Sequence, residues 1–514
     1  MFLNTILPAV LVAALLAAAA CAGPPAAGRP SADEVGPGRW PPEKAWEWYN
    51  RQPWLVGFNY LPSTAVNDTE MWQKETFDPE TIDRELGWAR KIGYNSCRVF
   101  LQFIVWRADP EGLKKRFEQF LALADKHGLT VMPIFFDDCA FAGKEPYLGK
   151  QDAPVPGVHN SAWVPSPGPK IIADKAAWPD LEKYVKDVVG AFGRDRRVVI
   201  WDLYNEPSTG QSLPLVEAAL RWAREARPAQ PLTTCIFGGG TLPGRIVELS
   251  DVISIHNYND LGNVKGEIAA RRRLGRPIVV SEWMCRGQNS RFESHLPYFR
   301  QERIACYNWG LVAGRTQTFY PWGSPKGAPE PKVWHHDVLR GDGAPFDPAE
   351  IVAIGAATGA LKVRDVVPTS QAAPAQWRYT IEAPPADWAG PQFDDSKWLQ
   401  APAPFGTLEP QYGRHPGTPW KAADIWMRRT VELPQAQQGG DLYLQVYHDD
   451  DVEVYLNGRL AGKAAGYTVG YVLVPVTPEG RAAVKAGSST LAVHCRQTVG
   501  GQYIDVGIVQ CERR

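Results

Sequence analysis

Val198-Val199-Ile200-Trp201-Asp202-Leu203-Tyr204-Asn205-Glu206-Pro207 opens as a β-branched apolar run and ends in a polar turn. Such a run, apolar on both faces, is what a buried parallel strand requires. It delivers Asn205 and Glu206 to the strand's C-terminal end. A second stretch, Val279-Val280-Ser281-Glu282-Trp283, has the same texture and delivers Glu282 in the same way.

Working outward, strand-like and helix-like segments alternate eight times between Trp54 and Gly323. Strands are expected at Trp54–Tyr60, Ser96–Leu101, Thr130–Phe136, Val198–Tyr204, Leu232–Phe237, Val252–His256, Ile278–Ser281 and Thr316–Tyr320. Asp78-Pro79-Glu80, Asp109-Pro110-Glu111 and Pro179-Asp180 mark helix starts, because proline at the first helical position costs no hydrogen bond. Gly93, His127-Gly128 and Gly193 mark the ends, and a last helix is expected over Asp347–Thr358. Eight βα units predict a (β/α)8 TIM barrel, with its chemistry at the strands' C-terminal ends. A doubly wound sheet would need a glycine-rich first turn, whereas Leu61-Pro62-Ser63-Thr64 follows Tyr60. The long connection Asp137 to Ala177 is expected to wall the substrate cleft.

After Val366 the composition changes. Residues 366–376 read as a linker, and 377–514 as an all-β sandwich of jelly-roll type. Asp441–His448 and Asp451–Leu456 alternate, and Asn457-Gly458 between strands signals a hairpin. The catalytic barrel is assigned to 41–365.

The first 22 residues read as a signal segment, followed by a Pro/Gly/Ala-rich linker over 23–40. The apolar run from Ile6 to Ala20 is too short to span a membrane, which predicts export. Ala18-Ala19-Ala20-Cys21 resembles a bacterial lipobox. Membrane attachment through a lipidated Cys21 and ordinary cleavage near Ala20 or Ala22 are both open. The setting is thus secreted, periplasmic or outer-membrane. With 55 basic against 56 acidic residues there is no basic stripe, so nucleic acid is not an expected partner.

Eight cysteines show no CxxC spacing, so no zinc site is implied. Export would permit Cys495 and Cys511 to pair. His335-His336-Asp337 lacks a further ligand at useful spacing, so no metal is expected there. Asp449-Asp450-Asp451 reads as a charged turn before a strand rather than a calcium loop.

Paired carboxylates on a rigid scaffold are what glycoside hydrolysis needs. The residues resemble the clan A glycoside hydrolases, and most closely the cellulase-like glycoside hydrolase family 5. The resemblance rests on Asn205-Glu206-Pro207, Ser281-Glu282-Trp283, Arg98 on strand two, His256 and Tyr258 on strand six, and Trp322 after strand eight. It implies Glu206 as acid/base and Glu282 as nucleophile. It implies Arg98, Asn205, His256, Tyr258 and Trp322 as substrate-binding residues. The family's strand-three histidine is absent, and Asp137 or Asp138 is expected to contact the sugar instead. The implied activity is retaining cleavage of β-linked cellulose, xylan or mannan without a cofactor. An exo-acting β-glycosidase and a catalytically silent carbohydrate-binding protein are the rival readings. Phe393-Asp394-Asp395-Ser396-Lys397-Trp398 and Val454-Tyr455-Leu456-Asn457-Gly458 resemble the galactose-binding-like sandwiches appended to such enzymes.

Overall fold

The computed structural model describes residues 38–513, apart from 209, 372, 410–413, 434–440 and 469. The N-terminal apolar run and Cys21 lie outside the described residues. Among those described, no helix is long and apolar enough to cross a membrane.

The strands β1 (Val56–Asn59), β2 (Ser96–Phe100), β3 (Thr130–Asp137) and β4 (Trp201–Asn205) lie side by side and parallel. The fifth stave is broken at Thr234 into β5 (Leu232–Thr233) and β6 (Cys235–Ile236). β5 pairs with β4, and β6 pairs with β7 (Ile253–His256). β8 (Ile278–Trp283) and β9 (Ala305–Trp309) then return to β1. The result is a parallel barrel of eight staves with β8 as the seventh, matching the expected fold. β1 to β4 and β8 are buried at almost every position, as strands covered on both faces should be.

The helices start where the sequence signals them. Asp78 caps the helix Pro79–Ile92 by accepting from the Thr81 amide. Asp109 does the same for Pro110–Lys126 through Gly112. Each satisfies an amide left without a partner in the first turn, worth about 1 kcal/mol. Gly93 ends the first of these at φ 121°, a backbone open to glycine at little cost.

One strand is misplaced by the sequence reading. Thr316–Tyr320 is not the eighth stave; Ala305–Trp309 is. Thr, Phe and Tyr give the former a high β propensity, but propensity yields to pairing, and β1 and β8 are paired to β9. The 316–320 segment packs instead on the long loop after β3. The Thr316 carbonyl accepts from the Asn160 amide, and the Tyr320 carbonyl lies 2.7 Å from His159 Nδ1.

The C-terminal sandwich is made of two antiparallel-dominated sheets. Trp377, Ile425, Met427, Val452, Val454, Leu491 and Val493 of one face Leu444, Val446, Ile504 and Val506 of the other. The sandwich begins earlier than expected. Leu361–Val367 pairs with Tyr503–Arg513, across the end of the stretch assigned to the barrel and the first two residues of the expected linker. Asn457 and Gly458 both have positive φ, 48° and 81°, as a tight hairpin turn demands. Cys495 and Cys511 do not pair; both are free buried thiols, on strands of different sheets.

Candidate active site

Glu206 stands just past the end of β4, with φ of +41°. A non-glycine residue there is strained, and such strain persists only where the surroundings hold it. The Glu206 amide donates to Cys235 Sγ at 3.1 Å. Glu282 reaches the mouth by a different device. Ile255 pairs with Val280 but His256 pairs with Glu282, so β8 carries an extra residue at this point. A bulge of this kind turns a side chain that a regular pleat would point elsewhere. The Asn257 amide holds the Glu282 carbonyl at 3.0 Å.

The two carboxylates meet. Glu206, His256 and Glu282 each present an atom within 4.8 Å of the other two. His256 Nδ1 lies 2.8 Å from Glu206 Oε1 and 3.5 Å from Glu282 Oε2. These donors have the make-up of a metal site. Glu282 already has a cationic partner, since Arg98 Nη1 donates to its Oε1 at 2.7 Å. Tyr258 donates its hydroxyl to Oε2, also at 2.7 Å.

Arg98, on β2, is wholly buried and organises the floor. Its guanidinium also donates to Asn59 Oδ1, Asp202 Oδ2 and Asn205 Oδ1, each at 2.8 Å. With Glu282 that makes four partners, which its fixed fork of five N–H donors can serve at once. Asn205 is held from the other side, donating to Asp137 Oδ1 at 2.8 Å. Asp137 in turn accepts from Trp163 Nε1 at 2.7 Å.

Two expectations are corrected by this network. Asp137 and Arg98 were expected to touch the sugar, yet both have no exposed surface. Their polar atoms are committed to Asn205, Trp163, Asp202 and Glu282, so they sit behind the site and support it. Asp138 is committed as well, accepting from Tyr204, Ser208 and Ser212. His256 and Tyr258 lie at the mouth with the glutamates, although Tyr258 follows β7 rather than belonging to it.

Trp322 is not at the end of strand eight. It sits on the loop beyond, 40% exposed, with its ring 5.1 Å from Tyr258, 4.4 Å from His335 and 5.5 Å from His336. The tryptophan that does end the eighth strand is Trp309, packed against Phe100 and Trp163. His159, on the long loop after β3, completes the wall by meeting His335 edge-on at 5.7 Å. That loop therefore lines the mouth. Sequence reading missed Asn59, Asp202, Trp309 and Cys139. Asp202 lay in view within the β4 motif, and its partner Arg98 was the signal that could have found it.

Burial sets the protonation of the site. It raises the carboxyls of both Glu206 and Glu282 above the ordinary range. For Glu282 the raising is opposed by Arg98 and the Tyr258 hydroxyl, whereas Glu206 has the Cys139 thiol and a more distant Arg98. A direct ion pair favours the charged form far more than a thiol contact does. The neighbours thus favour the charged form more strongly at Glu282 than at Glu206. Burial lowers His256 to about 4, so its imidazole is neutral at pH 7.

No family model matches the chain, and no curated protein matches it. Solved structures to which the chain is similar include a GH5_18 enzyme from Streptomyces cattleya in complex with Manβ1-4GlcNAc. It is 12% identical, with a TM-score of 0.42, over 59% of this chain and 79% of that one. An exo-β-1,4-mannosidase from Opitutaceae bacterium strain TAV5 is 15% identical, with a TM-score of 0.40, over 59% and 58%. A hyperthermostable endo-1,4-β-D-mannanase from Thermotoga petrophila RKU-1 is 13% identical, with a TM-score of 0.38, over 59% and 99%.

Proposed function

We propose that the chain is a retaining glycoside hydrolase acting on β-linked poly- or oligosaccharides of the cellulose, xylan or mannan type. The observation that carries this reading is the meeting of Glu206 and Glu282, with carboxylate oxygens within 4.8 Å. Retaining enzymes hold their pair about 5–5.5 Å apart, and inverting ones leave a wider gap for a water.

The roles follow from the neighbours. Glu282, held as an anion by Arg98 and Tyr258, attacks the anomeric carbon. Glu206, keeping its proton, gives it to the leaving oxygen. Once the glycosyl-enzyme forms, Glu282 is neutral, and Glu206 as carboxylate takes a proton from the incoming water. Asn205, held between Arg98 and Asp137 beside Glu206, is read as the partner of the 2-hydroxyl. Trp322 and Tyr258 supply flat aromatic surface beside the glutamates. The apolar segment at 6–20 supports export as the setting in which such polymers are met.

The test is stereochemical. Incubated with β-1,4-mannan, xylan and carboxymethyl cellulose, the protein should cut at least one. Proton NMR should then show the β anomer as the first product, before mutarotation. A first product of α configuration would refute the double displacement. Failure to cut any of them would refute the substrate class.

A further inference from the structure

Cys139 stands two residues past the strand-three end, in the region where the resemblance leads one to expect a histidine. It is the one cysteine among those described that is not fully buried. Its Sγ lies 3.2 Å from Glu206 Oε2 and 3.7 Å from Asn205 Nδ2. Its amide donates to Asp137 Oδ1 at 3.0 Å, which fixes the loop that carries the thiol. Glu206 is thus held at both oxygens, by His256 Nδ1 on Oε1 and by the thiol on Oε2.

We propose that Cys139 is a positioning residue for Glu206, a partner that serves both protonation states of the carboxyl. This rests on the acid/base role read for Glu206 above. The chemistry of a thiol suits the task. S–H is a weak donor and sulfur a weak acceptor. When Glu206 is a carboxylate, S–H donates to Oε2; when Glu206 carries the proton there, O–H donates to sulfur. A lysine or arginine in the same place would hold Glu206 permanently charged and stop it acting as an acid. The thiol also stays a thiol. Burial and the surrounding Asp137, Glu206 and Glu282 disfavour a second anion. Cys139 is therefore a hydrogen-bonding group here and not a nucleophile.

Two measurements test this on the full chain. The first needs no substrate. The infrared S–H stretching band of Cys139, isolated as the difference between wild type and Cys139→Ala, should shift as pH carries Glu206 from acid to carboxylate. In Glu206→Gln the same band should be independent of pH. A wild-type band that ignores pH would overturn the proposal, whatever the protein hydrolyses.

The second reads kcat/KM against pH on a phenyl β-glycoside, whose poor leaving group demands the acid. A hydrogen bond to the carboxylate lowers its pKa, so Cys139→Ala should move the basic limb upward by about half a unit to one unit. Cys139→Ser, which keeps a donor and an acceptor, should stay near wild type. A basic limb unmoved in Cys139→Ala would overturn the proposal. If the wild type hydrolyses neither a phenyl glycoside nor any of the polymers above, the enzymatic reading fails, and the infrared band alone decides the hydrogen bond.

Discussion

Arg98 and Glu282 form a salt bridge at 2.7 Å with the arginine side chain wholly buried and the glutamate 5% exposed. This one contact separates the two glutamates chemically. It gives Glu282 a cation in direct contact and leaves Glu206 with a thiol and a neutral imidazole. The same guanidinium holds Asp202 at 2.8 Å, so a single cation balances two buried carboxylates.

Replacing Arg98 by Met should therefore cost stability as well as activity. Removing one member of a buried pair strands the other, at about 3–5 kcal/mol. Urea unfolding should show a lower midpoint with an unchanged slope. A midpoint equal to wild type would mean the guanidinium is not buried against Asp202 and Glu282.

Asp137 is expected to act through Asn205. Asp137→Ala leaves Asn205 Nδ2 and Trp163 Nε1 without their acceptor. Loss of Asn205 placement should lower kcat/KM on the order of 10²-fold. Much of this should fall on kcat, because a 2-hydroxyl contact strengthens in the transition state. A variant with raised KM and unchanged kcat would instead mark Asp137 as a direct sugar ligand.

Trp322→Ala should raise KM by roughly tenfold, the worth of one aromatic face. The fold should stay intact, since the ring is 40% exposed. Sugar-dependent quenching of tryptophan fluorescence should shrink in the same variant. Equal KM and equal quenching would remove Trp322 from the binding surface.

Stability should fall as pH rises through neutrality. Burial pushes Asp337 up to about 7, against an ordinary 3.8. A carboxyl raised on folding holds more protons folded than unfolded. Its contribution is thus full below about 4 and lost as pH rises through about 7. Burial pushes Asp137 and Glu293 up to about 7 as well. Asp337→Asn keeps an acceptor for Thr318, which bonds Oδ2 at 2.8 Å, and asparagine tolerates the positive φ of 57°. The loss of stability between pH 5 and pH 8 should be smaller in that variant. An identical slope would show that Asp337 is already ionised in the folded state.

Much of the barrel was legible because its signals are local. Asp-Pro helix starts, glycine stops and β-branched runs each report on a few neighbouring residues. The eighth stave was not, because Ala305–Trp309 lacks β-branched residues and is a strand only through pairing with β1 and β8. Glu206 and Glu282 were legible as strand-end glutamates. The bulge that aims Glu282 and the strained backbone that holds Glu206 were not, since both depend on neighbouring strands. Arg98 was legible as a residue but not in its role. That role depends on Asn59 and Asp202, which come from two other strands and have no sequence signature of their own. Cys139 was hidden for the opposite reason. Its type carries no obvious chemistry until its distance to Glu206 is known.

The central claim is that Glu282 forms a bond to the sugar while Glu206 handles the proton. It is tested most directly by trapping. Incubation with a 2,4-dinitrophenyl 2-deoxy-2-fluoro-β-glycoside, digestion and mass spectrometry should place one fluorosugar on the peptide containing Glu282. Glu206→Gln should still accumulate that adduct, because dinitrophenolate leaves without an acid. An adduct on Glu206, or turnover of the natural polymer by Glu282→Gln at the wild-type rate, would contradict the account.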